Sequence, residues 1–262
     1  MLSGVDLCNV RESQKIMDEG FMIIPFPKHL TDTMILWIKS FIATSTGGAH
    51  ADLEEQLQVL SDALFVEKFH KAFRIFPSHV ADEIAVWVES LAHFLGGKQA
   101  GMNYVSLAER MKNSGLTEKS WDTFWRCVRP NKPDVGSAHC DYQFWEIAKG
   151  TVDEPSTPFS YDERWKIWIP LLGCNPLTSL QVIPGSHVEE IPIDNIATKY
   201  GIKPTIDPEW LLKNEGRFIC PLEQFSGCAV LFHDKLVHRG PPNPSQQLRI
   251  SGELTIILAL YK

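Results

Sequence analysis

Residues 227–251 read GCAVLFHDKLVHRGPPNPSQQLRIS. The run from Gly227 to Phe232 has the composition of a strand, breaks at a polar turn, and delivers His238 to the mouth of a Gly- and Pro-rich loop. Eleven residues after His238 comes Arg249, at the start of a second apolar strand, Leu248 to Leu260. An arginine inside a strand otherwise built of Ile, Leu and Thr needs an anionic partner, because a buried unpaired charge is costly. Its planar fork suits a carboxylate.

Upstream, Ser137-Ala138-His139-Cys140-Asp141 places His and Asp two apart on a predicted strand, 139–147. Residues i and i+2 of a strand point to one face, so both side chains can converge on a metal ion, and Gln143 and Trp145 would share that face. Taken singly the pair is weak evidence. A second one, His50-Ala51-Asp52, lies in a Gly-rich approach to a helix, where Asp52 reads as an N-cap.

The chain has 262 residues, 44% of them apolar and 22% charged, enough for one large β-rich domain. A formal charge of −7 argues against nucleic-acid binding. No apolar run reaches the ~18 residues of a membrane helix, and the N-terminal stretch has no secretory pattern. Six cysteines, none in a Cys-x-x-Cys pair, read as reduced core thiols. The expectation is a soluble, cytoplasmic protein acting on a small molecule.

The two halves differ in pattern. Phe21–Ile24 reads as an early strand, followed by helices over 32–42, 51–73 and 82–95. From about residue 121 the pattern turns to short strands, at 123–129, 139–147, 165–172, 179–183, 217–220, 227–232 and 248–260, with Pro and Gly between them. Such a series predicts a sandwich or jelly roll. Two long connections, 149–164 and 188–214, read as lids or surface insertions. The simplest organisation is a single domain over 1–262, with helical support to about residue 120 and a β core over 121–262.

Taken together, HCD at 139–141, WKIWIPL at 165–171, SLQVIPGSH at 179–187, LFHDKLVHRGPPNPS at 231–245 and RIS at 249–251 resemble the phytanoyl-CoA dioxygenase-like branch of the Fe(II)/2-oxoglutarate oxygenases. The resemblance covers roughly residues 121–260, and more weakly the strand at 20–25. It implies a mainly β fold with helical N-terminal support, a double-stranded β-helix (a cupin-like jelly roll) with a metal near one open end. It also implies Fe(II), 2-oxoglutarate and O2 as cofactors. His139, Asp141 and His238 would be the iron ligands, leaving three coordination positions open, as suits a non-haem oxygenase. Arg249 would pair with the far carboxylate of 2-oxoglutarate, and Ser251 would donate a hydrogen bond. Related halogenases have a small residue at the position of Asp141, so halogenation is disfavoured. Hydroxylation is the default outcome; desaturation and epimerisation remain open. A catalytically silent binding protein of the same fold is the alternative.

Several neighbours are weighed beside these. His233 is the rival of His238 on the same segment, and His187 ends the PGSH turn. Trp168 and Lys166 share one face of their strand, with Trp165 and Ile167 on the other, and one face should line the barrel. Arg126 and Arg129 stand on opposite faces of the strand before His139; either could meet a substrate or cosubstrate anion, or snorkel at the surface.

Overall fold

Strand β5 (Glu163–Leu172) is buried on both faces from Arg164 to Leu171, and this double burial organises the molecule. Trp165, Ile167, Ile169 and Leu171 pack into the core shared with the N-terminal helices. Trp168, on the other face, packs with Phe21, Leu180, Val182, Val230 and Phe232 inside the barrel. The computed structural model describes residues 10–47, 57, 61–65, 73–75, 78–102, 122–143, 163–198 and 201–260.

The strands in chain order are β1 (Phe21–Pro25), β2 (Phe73–Ile75), β3 (Gly97–Met102), β4 (Asp122–Val128), β5, β6 (Gln181–Val182), β7 (Ile193–Thr198), β8 (Gly201–Ile206), β9 (Cys228–His233), β10 (His238–Arg239) and β11 (Arg249–Leu260). The helices are α1 (Val10–Glu19), α2 (Lys28–Thr46), the single turn α3 (Asp62–Phe65), α4 (Ser78–Phe94) and α5 (Pro208–Asn214). The major sheet runs β1-β9-β5-β11-β4-β2, antiparallel throughout, and β3 pairs with the far half of β11. The smaller sheet opposite it is β6 and β10, extended by backbone bridges from His139 to His238 and from Val182 to Ile219. This is the double-stranded β-helix, with helices against the outer face of the major sheet. No helix among the described residues is long and apolar enough to cross a membrane.

Helix α2 buries Leu30, Met34, Ile38 and Ile42 at helical spacing and ends at Gly47, whose left-handed backbone returns its N–H to Ala43 O. Helix α4 buries Ile84, Val88 and Leu91 in the same way. Pro170 has no amide hydrogen to give the ladder, and the β5–β11 register slips by one residue there.

Four local expectations need correction. Of the helix expected over 51–73, the described residues show helix at Leu57 and α3, but a strand at β2; the rest lies outside the described residues. β3 was not foreseen; its sequence GKQAGM has low strand propensity, and pairing with β11 supplies what propensity does not. The strand expected over 139–147 keeps one bridge, at His139, and turns helical at Tyr142 and Gln143. The connection 188–214 is no open loop. It contains the β7–β8 hairpin and α5, and Ile191, Ile193, Trp210 and Leu211 pack onto Ala138, Cys140, Ile183, Ile206 and Val237, beside the smaller sheet. Cys127, Cys140, Cys174, Cys220 and Cys228 all carry thiols.

One contact fixes the PGSH turn to the N-terminal elements. Gly20 has φ +77°, and a Cβ there would stand 2.4 Å from His187 Nδ1. The imidazole is held in place because its Nε2 donates to Met17 O at 3.0 Å. His187 therefore serves as a loop hydrogen bond, the blander of its two readings. Gly20→Ala combines a left-handed backbone with an overpacked site and is expected to cost about 1–3 kcal/mol, measurable as a lower midpoint in thermal or urea unfolding.

Candidate metal centre and cosubstrate pocket

Three donor side chains meet at the edge of the smaller sheet. His139 and His238 face each other across a mutual pair of backbone hydrogen bonds, each 3.0 Å. Their rings are 4.4 Å apart. Both imidazoles are oriented the same way: Nδ1–H of His139 donates to Ser137 O at 2.8 Å, and Nδ1–H of His238 donates to Leu236 O at 2.9 Å. A carbonyl can only accept, so Nδ1 carries a proton in both rings and Nε2 is the nitrogen turned toward Asp141, the orientation a metal ligand needs. The Asp141 carboxylate lies 3.7 Å from His139 Nε2 through Oδ1 and 3.6 Å from His238 Nε2 through Oδ2. One donor atom from each residue lies within 4.8 Å of the other two.

The protonation states also suit a cation. Burial, with His238 nearby, pushes the His139 imidazole down to about 4, so it is neutral at pH 7. Burial works against the charge on Asp141, but Lys166, His238 and His139 outweigh it and hold the carboxyl well below the usual range. Asp141 Oδ2 is buried and has no hydrogen-bond partner among the described residues. A neutral His139 imidazole, the His238 imidazole turned the same way and one ionised carboxylate beside them fit a divalent metal of the Fe(II) type.

Arg249 lies on the inner face of β11, buried at 4% exposure. Its Nη1 donates to Thr178 O, while its buried Nε has no partner among the described residues. The guanidinium lies flat against Gly240, where a Cβ would be 3.1 Å from Nη2; the Gly after His238-Arg239 is there for that close approach. Burial pushes Arg249 down from its ordinary value, and Arg126 adds to the effect. Ser251, also buried, stands opposite Arg126 on β4.

The other candidates separate by strand alternation. Arg126 faces inward, where burial lowers its guanidinium and Glu253 and Asp141 act against that. Arg129 is on the opposite face and is fully engaged there. Its Nε and Nη2 donate to the two Asp134 oxygens at 2.8 Å each, Asp62 adds a contact at 3.0 Å, and the guanidinium stacks 3.9 Å over Phe65. It joins the sheet to α3 and does not turn into the barrel. Asp134→Ala would leave this buried cation with only an exposed carboxylate, and is expected to destabilise by about 3–5 kcal/mol, readable in chemical denaturation. Trp168 fills the barrel interior as a core side chain. Gln143 is buried, with both amide atoms unpartnered among the described residues. Trp145 lies outside the described residues. His233 is turned away from the cluster: its ring packs edge-on against Trp165 at 5.0 Å, and its Nδ1 accepts from Lys235 N–H.

Sequence reasoning passed over Glu253 and Thr255, which sit inside the barrel against Lys166. The signal was present: along β11, Arg249, Ser251, Glu253 and Thr255 alternate with Ile250, Gly252, Leu254 and Ile256.

The phytanoyl-CoA dioxygenase (PhyH) family model matches residues 46–251. No curated protein matches the chain. Among solved structures, EctD from S. alaskensis with 2-oxoglutarate and 5-hydroxyectoine is similar at TM-score 0.60 and 14% identity, over 98% of this chain and 81% of that one. EvdO2 from Micromonospora carbonacea var. aurantiaca, complexed with 2-oxoglutarate, follows at 0.55 and 14%, over 97% and 93%. SnoK, a non-heme alpha ketoglutarate dependent carbocyclase from nogalamycin biosynthesis, is similar at 0.52 and 13%, over 97% and 86%. At such low identity these likenesses speak for the fold, while the family match covers most of the chain. The chain belongs to the phytanoyl-CoA dioxygenase family and is an oxidoreductase that uses iron, 2-oxoglutarate and dioxygen.

Proposed function

We propose that this chain hydroxylates an unactivated C–H bond of a small-molecule metabolite, with His139, Asp141 and His238 as iron ligands and Arg249 and Ser251 as the cosubstrate grip. The observation that carries the reading is the convergence of the three donors in a barrel whose inner wall also presents a buried, under-satisfied arginine. When bound, the iron couples decarboxylation of 2-oxoglutarate to succinate with oxidation of the substrate by dioxygen.

The protein's own share is binding and orientation. The carbonyls of Ser137 and Leu236 hold both imidazoles with Nε2 toward Asp141. Thr178 O steers the Arg249 fork, leaving Nε to meet a carboxylate in a dry setting where a charge-assisted hydrogen bond is strong. The Gln143 amide offers two N–H donors and a carbonyl oxygen with no partner among the described residues, which suits a ligand group. A small-molecule substrate accords with the 5-hydroxyectoine held by EctD.

Succinate formation from 2-oxoglutarate under Fe(II) and O2 tests this reading. Some succinate is expected without substrate and more with the right one, and a hydroxylated product made under ¹⁸O2 should carry one labelled oxygen. No succinate from folded wild-type protein under these conditions would overturn the proposal.

A further inference from the structure

Lys166 projects from β5 into the barrel at 8% side-chain exposure, where it has so far figured only as a charge beside Asp141. Its Nζ lies 2.5 Å from Glu253 Oε1 and donates to Thr255 Oγ1 at 2.9 Å. Thr255 is its direct cross-strand partner, and Glu253 follows two residues earlier on the same face of β11. Those two anchors fix the ammonium. Its remaining side faces Asp141, with Oδ2 3.5 Å away.

The consequence concerns the carboxylate. An aspartate beside a metal can bind through one oxygen or both. Binding through both would consume a coordination position that 2-oxoglutarate and dioxygen need. A fixed ammonium gives one side of the carboxylate a standing electrostatic partner, so the carboxylate keeps its orientation. We propose that Lys166, clamped by Glu253 and Thr255, is a positioning residue that holds Asp141 as a one-oxygen ligand. The inference rests on the reading of His139, Asp141 and His238 as the iron site. It also links β11, which carries Arg249 and Ser251, to the metal-binding segment through the two ion contacts of Lys166, with Glu253 and with Asp141.

Removing Lys166 alone would leave Glu253 without its closest cation, with Arg126 as the remaining one nearby, and would change the net charge near the metal. The informative protein is therefore the double variant Lys166→Met, Glu253→Gln, in which the lost charges cancel and only the positioning goes. Co(II) serves as the probe under anaerobic conditions, since its visible absorption reports coordination number as well as occupancy. The double variant is expected to bind Co(II) about 10- to 100-fold more weakly than wild type, the usual effect of losing a group that orients a metal ligand, and its Co(II) bands should change in shape. Lys166→Arg should recover part of both. Glu253→Gln alone, which loosens the lysine without emptying its place, should shift both in the same direction by less. Wild-type affinity and unchanged bands in either Glu253→Gln variant would overturn the positioning role and leave the metal site standing. Failure of wild type to bind Co(II) while His139→Ala behaves identically would overturn the metal site itself, and this inference with it.

Discussion

Asp141→Ala should lose more than about 100-fold in Fe(II) affinity and, with it, iron-dependent succinate formation. The alanine takes away the only carboxylate of the three-residue cluster and leaves the two imidazoles alone to hold the metal. The fold should survive, because Lys166 keeps Glu253 and Thr255 as partners and the 139–238 bridge is made by backbone atoms. Asp141→Asn keeps the shape and one oxygen donor but not the charge, and should fall between. His233→Ala is the control. His233 packs on Trp165 and takes a hydrogen bond from Lys235 N–H, so losing it should leave iron binding unchanged. Iron titration followed by calorimetry, beside a thermal melt of each variant, separates loss of metal from loss of fold.

Arg249→Leu should raise the 2-oxoglutarate concentration for half-maximal turnover by roughly thirty-fold or more. Truncating one partner of a buried, hydrogen-bonded charge pair costs about 2–5 kcal/mol, and 1.4 kcal/mol is tenfold in affinity. The effect should fall on 2-oxoglutarate and spare Fe(II), because Arg249 reaches Thr178 O and Gly240, not the ligand cluster. Arg249→Lys keeps the charge but loses the fork, and should lie between. Initial-rate kinetics in 2-oxoglutarate, at saturating Fe(II), measures it. An unchanged half-saturation in Arg249→Leu would mean that the cosubstrate carboxylate is held elsewhere, with the inward-facing Arg126 as the alternative.

What was legible in the sequence follows from how local its causes are. The buried strand 165–172, the α2 and α4 stripes and the convergence of His139 and Asp141 with His238 rest on patterns of two to four residues and on a family-like set of motifs. Of the rivals His233 and His238, only His238 has its Nδ1 tied back to a carbonyl and its Nε2 near Asp141, a long-range arrangement that supports proposing it as the ligand. Alternation on β4 separated Arg126 from Arg129 but could not say which side was the barrel; that depends on where the helices pack, a long-range fact. β3 and β2 escaped because their strand character comes from neighbours on β11 and β4. The helical turn at Tyr142–Gln143 interrupts the strand on which the shared face of Gln143 was argued. That turn is held by Tyr142 N–H donating to Asp234 O, a contact almost a hundred residues away in sequence.

The most direct test is the weak visible charge-transfer band that forms when Fe(II) and 2-oxoglutarate are added together to the protein without oxygen. The band should form in wild type and in His233→Ala, and be absent in His238→Ala at the same concentrations. A band of undiminished intensity in His238→Ala, or one that vanishes with His233 instead, would contradict the assignment of the iron to His139, Asp141 and His238.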